Sequence, residues 1–223
     1  MRPMSPDLAD HYPTPASMRA DLAVHAIGLG FAAVGGAVLL ALAVGLGTAG
    51  QAASVLIYVA GLVAMLALSA AYNFSRLRWR PILRRLDHAA IFVMIAGSYT
   101  PFTTQRLHGG WALGMTAAVW ALALAGAAGK LFLPGLGRKV WIGLYLALGW
   151  LALVALGPIV SAVSPLALWL LAAGGLVYSI GAAFYVIERL KFRRAIWHGH
   201  VVGAAALHFV AVLVGVVLAP SAG

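Results

Sequence analysis

The sequence contains no cysteine, which excludes disulfides and thiolate metal sites outright. It is nearly as poor in acid: Asp7, Asp10, Asp21, Asp87 and Glu188 are the whole complement in 223 residues, and charged residues of both signs make up 9%. A soluble domain carries about 25% charged residues, so water is not the main solvent of this chain. Also missing is the apolar/polar alternation, in segments of about ten residues, that builds a membrane β-barrel. No cleavable leader is expected, because the first apolar run begins near Leu22, after a Pro-containing polar segment. What remains is apolar: 63% of residues are hydrophobic, with 26 glycines and a mean hydropathy of +0.98.

The apolar runs fall at 22–48, 52–74, 87–104, 110–132, 139–158, 164–187 and 195–218. Each reaches the roughly 18–20 residues that cross a bilayer core, and the short connections predict antiparallel neighbours. The expected fold class is therefore all-α, a polytopic seven-transmembrane-helix bundle. Residues 1–20 read as an N-terminal cytoplasmic tail, partly disordered or at the interface, and 21–219 as one membrane domain. Pro101 and Pro158 fall at or near predicted helix ends, where a missing backbone donor is tolerated. Gly30, Gly35, Gly36, Gly174, Gly175 and Gly181 read as close-packing positions between helices.

The net charge of +10 reads as a topology signal and not as a nucleic-acid surface, because the cations sit in short clusters between apolar runs. Fourteen of the 15 Lys and Arg fall before the first run or in the 2–3, 4–5 and 6–7 connections; Arg106 alone falls on the other side. The excess of positive charge predicts a cytoplasmic N-terminus and an outside C-terminus, which requires an odd number of spans.

Ionisable groups inside a membrane are expensive and so point to function. Ser69, Tyr72 and Asn73 end the second run, Asp87 and His88 begin the third, and His198 and His200 begin the seventh, all at one expected depth. The candidate site is the polar cluster Ser69, Asn73, Asp87, Arg194 and His198. Ser69/Asn73 and Arg194/His198 are each one helical turn apart and share a face. His200 lies about 200° around the helix from His198, so the two do not meet at one ion. His25, His88, His200 and His208 read as buried, hydrogen-bonded histidines and not as ligands. Two geometries are open for Arg194: inward, paired with Asp87 in a metal-free salt-bridged cluster, or out at the interface with the other loop cations.

Several stretches carry a family resemblance. HAIG (25–28), LDHAAIFVMIAGSYTPF (86–102), GGLVYSIGAAFY (174–185) and AIWHGHVVGAAALHF (195–209) are similar to signatures of the hemolysin III / progestin-and-adipoQ-receptor (PAQR) family, in the family's order and spacing. The resemblance implies seven helices with the N-terminus inside. In many members it also implies zinc held by three histidines, supported by a serine and an aspartate. Here the supporting positions are Ser69 and Asp87, but the ligand positions hold Asn73, Arg194 and His198. An amide is a feeble zinc ligand, and a guanidinium has no lone pair to give. No cofactor is therefore expected, with zinc at His198 as the alternative.

The resemblance leaves three functional classes. The favoured reading is a non-enzymatic lipid-sensing or membrane-homeostasis protein, with membrane lipids as partners, a lipid or fatty acid as ligand in the bundle, and no nucleic acid. The second is a zinc-dependent, ceramidase-like hydrolase of lipid amides, using Ser69, Asp87 and His198. The third is a pore-forming cytolysin, for which the few charges inside the spans leave an ion path hard to draw. The expected location is the inner (plasma) membrane of a bacterium.

Overall fold

The computed structural model describes Leu8, residues 11–133 and residues 135–219. Asp7, Asp10 and Arg2 lie outside these. Among the described residues there is no strand, and the chain runs almost wholly as helix: α1 (Pro15–Leu46), α2 (Ala49–Phe74), α3 (Arg80–Gln105), α4 (Gly109–Phe132), α5 (Arg138–Gly149), α6 (Leu156–Ala162), α7 (Pro165–Val186) and α8 (Arg193–Val212).

Local chemistry sets where these helices start. Thr14 and Ser17 form a reciprocal capping box ahead of Pro15, with the Ser17 N–H donating to Thr14 Oγ1 at 3.1 Å. Thr48 caps α2, and Ser164 followed by Pro165 opens α7. As a result α1 begins at Pro15, before the apolar run at 22, and α3 begins at Arg80, before the run at 87. Apolarity marks contact with lipid, whereas caps and prolines mark the helix.

The fifth run is not one helix. After α5 the chain tightens into a 3₁₀ segment, Leu151–Ala155, and then resumes as α6. Pro158 has no N–H for the Val154 carbonyl, and its ring crowds that turn, which accounts for the break. Together these pieces span Arg138–Ala162. Pro101 lies inside α3, in its last turns.

Six helical stretches are long and apolar enough to cross a membrane: α1, α2, α4, α5 through α6, α7, and α8 through its extension to Val217. The remaining long helix, α3, has 26 residues but opens with Arg80, Arg84, Arg85 and Asp87. It packs between α2 and α4, while α1 lies on α2 and α8, and α7 pairs with α8. Leu39, Val55, Tyr58, Leu62 and Val212 fill one core between α1, α2 and α8. Phe92, Ala96, Val119, Ala123 and Trp141 fill another between α3, α4 and α5. Val34, Leu113, Phe132, Val154 and Trp169 point outward and exposed, as side chains solvated by lipid do.

Small residues set the closest approaches. A Cβ on Gly181 would meet the His200 Cβ at 2.5 Å, and one on Gly126 would meet the Phe92 ring at the same distance. Gly30 differs, because it faces open space.

The two ends of the bundle are unlike. At one, Arg85 reaches the Leu131 carbonyl, Arg138 pairs with Glu188 at 2.7 Å, and Arg194 reaches the segment before α1. The 2–3, 4–5 and 6–7 connections therefore share one basic end. At the other, α8 widens into a π-turn at Leu213–Val217, which misaligns its carbonyls. Arg106 Nε donates to the Gly215 carbonyl at 2.6 Å and Gln51 Nε2 to that of Val216 at 2.5 Å.

Candidate functional site

At the basic end, four helices and the segment before α1 converge on a buried polar cluster. Asp21 and His25 are one turn apart on α1, with 0% and 3% of their surfaces exposed. Ser69 and Asn73 repeat that spacing on α2, as do Arg194 and His198 on α8. Asp87, 7% exposed, faces the Ser69 hydroxyl from α3.

The hydrogen bonds fix which nitrogens carry protons. Asp21 accepts twice, from the Tyr12 hydroxyl at 2.5 Å on Oδ2 and from His198 Nδ1–H at 2.6 Å on Oδ1. His25 Nδ1–H donates to the Asp21 carbonyl at 2.8 Å. With both Nδ1 atoms committed as donors, each neutral ring presents its lone pair at Nε2. Both Nε2 atoms face the Ser69 hydroxyl oxygen, His25 at 3.2 Å and His198 at 3.4 Å, and the ring centroids lie 4.3 Å apart. Two imidazole acceptors and the Asp87 carboxylate thus face one hydroxyl proton. Asn73 Nδ2 donates to the Ser69 carbonyl at 2.9 Å and approaches the Ser69 hydroxyl at 3.5 Å.

Arg194 takes neither geometry open to it from the sequence. None of the ion pairs among the described residues joins it to Asp87. Its Nη1 donates to Asn73 Oδ1 at 3.2 Å, its Nε to the His11 carbonyl and its Nη2 to His11 Nδ1. His11 in turn donates from Nε2 to Asn73 Oδ1 at 3.0 Å. Burial and the adjacent guanidinium push His11 down to about 4. Tyr12, 2% exposed, stacks on Phe74, so residues 11 and 12 form part of the site's wall and not a free tail.

The five residues expected from the sequence, Ser69, Asn73, Asp87, Arg194 and His198, lie together here. Asp21, His25, His11 and Tyr12 were not foreseen as members. One signal was available: an acid and an imidazole one turn apart in an otherwise apolar helix. The tail residues gave none, since their burial depends on a pocket made by α1, α2 and α8.

The cluster opens on a cavity of about 210 Å³. Arg84, Lys130, Arg138 and Arg194 supply cations to its wall, against the single carboxylate of Asp87. Farther in, Met94, Ile95, Leu146 and Trp150 make the lining mainly apolar, interrupted by Ser98, Tyr99, Tyr178, Ser179 and His208 but by no further charge. His88 also lines it, with a buried Nδ1 that has no hydrogen-bond partner among the described residues.

The three-histidine zinc set does not fit these residues. Asn73 Oδ1 already accepts from Arg194 and His11, and Arg194 brings fixed positive charge where a ligand would stand. A different group, Asp21, His25 and His198, has one candidate ligand atom from each residue within 4.8 Å of the others and could hold a metal. Doing so through Asp21 would set the ion in competition with Tyr12 or His198 for one carboxylate oxygen.

A polytopic helical bundle with polar groups gathered at one end of an internal cavity defines the class: a multi-pass membrane protein with a buried site. The family model described as "Haemolysin-III related" matches residues 19–209, and the chain belongs to that family. It is 34% identical over 144 residues to the Hemolysin-3 homolog of Bacillus subtilis (strain 168), an alignment covering 64% of this chain and 67% of that one. It is 38% identical over 130 residues to Hemolysin-3 of Bacillus cereus, covering 57% of this chain and 58% of that protein.

Proposed function

We propose that this protein is a lipid-sensing or membrane-homeostasis protein that binds a single-chain anionic amphiphile, of the fatty-acid type, in the cavity between its helices. The observation that carries this reading is the cavity's polarity: four cations and one carboxylate at one end, apolar side chains beyond. A carboxylate headgroup gains charge-assisted hydrogen bonds at the cations, and an acyl chain gains from leaving water. His88 Nδ1, without a partner among the described residues, supplies a further polar contact for headgroup or water. The basic end would face the cytoplasm, in the plasma membrane of a bacterium, with seven crossings once α3 is counted. Fourteen of the 15 cations before or between the runs support that orientation.

A pore draws no support from this arrangement, because the charged groups that line the cavity gather at one end. A zinc hydrolase is disfavoured by Asn73 and Arg194 at two of the three ligand positions.

The test is titration of the purified chain in lipid nanodiscs with a dansyl-labelled fatty acid. Saturable fluorescence, displaced by unlabelled fatty acid and weakened at least about tenfold in Arg84→Ala/Lys130→Ala, is expected. Signal that never saturates, or that the double variant leaves unchanged, sinks the reading.

A further inference from the structure

We propose that Ser69, His198 and Asp21 form a metal-free acyl-transfer triad that hydrolyses an ester or amide of a lipid bound in the cavity. The inference rests on the cavity admitting an acyl chain, but it adds a reaction to binding. It is carried by a chain of contacts with a definite direction. Fully buried Asp21 holds His198 Nδ1–H at 2.6 Å, and His198 Nε2 faces the Ser69 hydroxyl at 3.4 Å, with Ser69 and His198 on the cavity wall. An acid behind, an imidazole between and a hydroxyl in front is the order in which a serine is activated on unrelated folds. The acid fixes the tautomer, so that the lone pair points at the hydroxyl.

The alternative use of these side chains, as metal ligands, is weaker on the same distances. Both Asp21 oxygens are engaged, one by Tyr12 and one by His198. As an orienting group Asp21 keeps both bonds undisturbed, whereas as a ligand one of its oxygens must share or give up its bond.

The reaction balances with water as the only co-reactant. Ser69 Oγ attacks the acyl carbonyl carbon as its proton passes to His198 Nε2. The carbonyl oxygen takes the negative charge. His198 then returns the proton to the leaving alcohol or amine as the C–O or C–N bond breaks. Water attacks the acyl-serine, His198 accepts its proton and hands it to Ser69 Oγ, and the carboxylic acid departs. Ser69 sits inside α2, so its own N–H is spent in the helix and cannot bind the oxyanion. A side-chain donor is needed, and Asn73 Nδ2, 3.5 Å from the Ser69 hydroxyl, is placed to serve. His25 Nε2, 3.2 Å from that hydroxyl, and the Asp87 carboxylate on α3 compete for its proton, which predicts slow turnover.

The experiment uses the full chain in nanodiscs with a fluorophosphonate probe, followed by peptide mass mapping, and in parallel with p-nitrophenyl acyl esters. The expected result is labelling at Ser69 that is lost in Ser69→Ala and indifferent to EDTA. Asp21 is a positioning residue, so Asp21→Asn is expected to lower kcat at least about 100-fold with KM little changed. A thermal unfolding transition of Ser69→Ala like that of the unsubstituted chain shows that the variant is folded. Labelling elsewhere, or ester hydrolysis abolished by EDTA, overturns the triad. A wild-type chain that binds the fatty acid but is neither labelled nor hydrolytic overturns the triad and leaves the binding function standing.

Discussion

The two ends of the bundle handle polar groups in opposite ways. At the end holding Arg106, side chains reach backbone carbonyls, Arg106 that of Gly215, Gln51 that of Val216, Thr100 that of Ala96 and Thr104 that of Thr100, or meet one another singly, as Thr116 meets Thr103, Gln105 meets Thr104 and Trp120 meets Thr100. No hydroxyl there is faced by two ring nitrogens among the described residues. At the basic end side chains are spent on one another, and the count does not close: two imidazole lone pairs face one serine hydroxyl. Balanced pairs in a low-dielectric interior stabilise and do nothing else, whereas a surplus of acceptors leaves capacity for a proton, a cation or a substrate.

That contrast can be broken most sharply by changing the chemistry of the basic end. Asn73→His together with Arg194→His should convert it to a zinc site, raising metal content from well below one to near one ion per chain by elemental analysis. Near-stoichiometric zinc in the unsubstituted protein would show that Asp21, His25 and His198 already act as ligands. Next in size is Asp21→Ala, which strands Tyr12 and His198 together. It should cost about 3–5 kcal/mol in denaturant titrations in mixed micelles. Arg106→Met, at the opposite end, should cost about 1.5–3 kcal/mol by orphaning a carbonyl, while leaving fatty-acid binding as it was. A loss of binding there would mean that the two ends are coupled.

The smallest effect is set by pH. His11 sits lowered to about 4 from 6.5, so the folded state holds fewer protons on it than the unfolded state in between. Docking of the segment before α1 is therefore complete above about 6.5 and weakens as pH falls through about 4. Arg194 and Arg80 oppose protonation of His11, while Asp21 and Asn73 favour it. Hydrogen exchange at residues 11–14 should rise over that window, and His11→Gln should flatten the response.

Most of the helices were legible because lipid demands long apolar runs, and the runs at 52–74, 110–132 and 164–187 lie within a few residues of α2, α4 and α7. The break near Pro158 was less so. A proline near a predicted end gives no sign that the helix resumes beyond it. Within the site, family spacing brought Ser69, Asn73, Asp87, Arg194 and His198 to notice. Asp21 was passed over because it borders the apolar run, yet α1 starts earlier than that run and carries Asp21 inward. His25 was read as a satisfied core histidine. It is one at Nδ1, but its other nitrogen belongs to the cluster, a division that only side-chain geometry reveals.

The hydrogen bond between Asp21 and His198 spans nearly the whole sequence, joining the first helix to the last. During synthesis Asp21 and His25 enter the membrane long before His198 exists, and until then they sit in lipid with a partner missing. Completion of the polypeptide is what neutralises that liability. A chain cut short before α8 would carry an exposed acid in the bilayer, a mark by which membrane quality control can tell an unfinished bundle from a finished one.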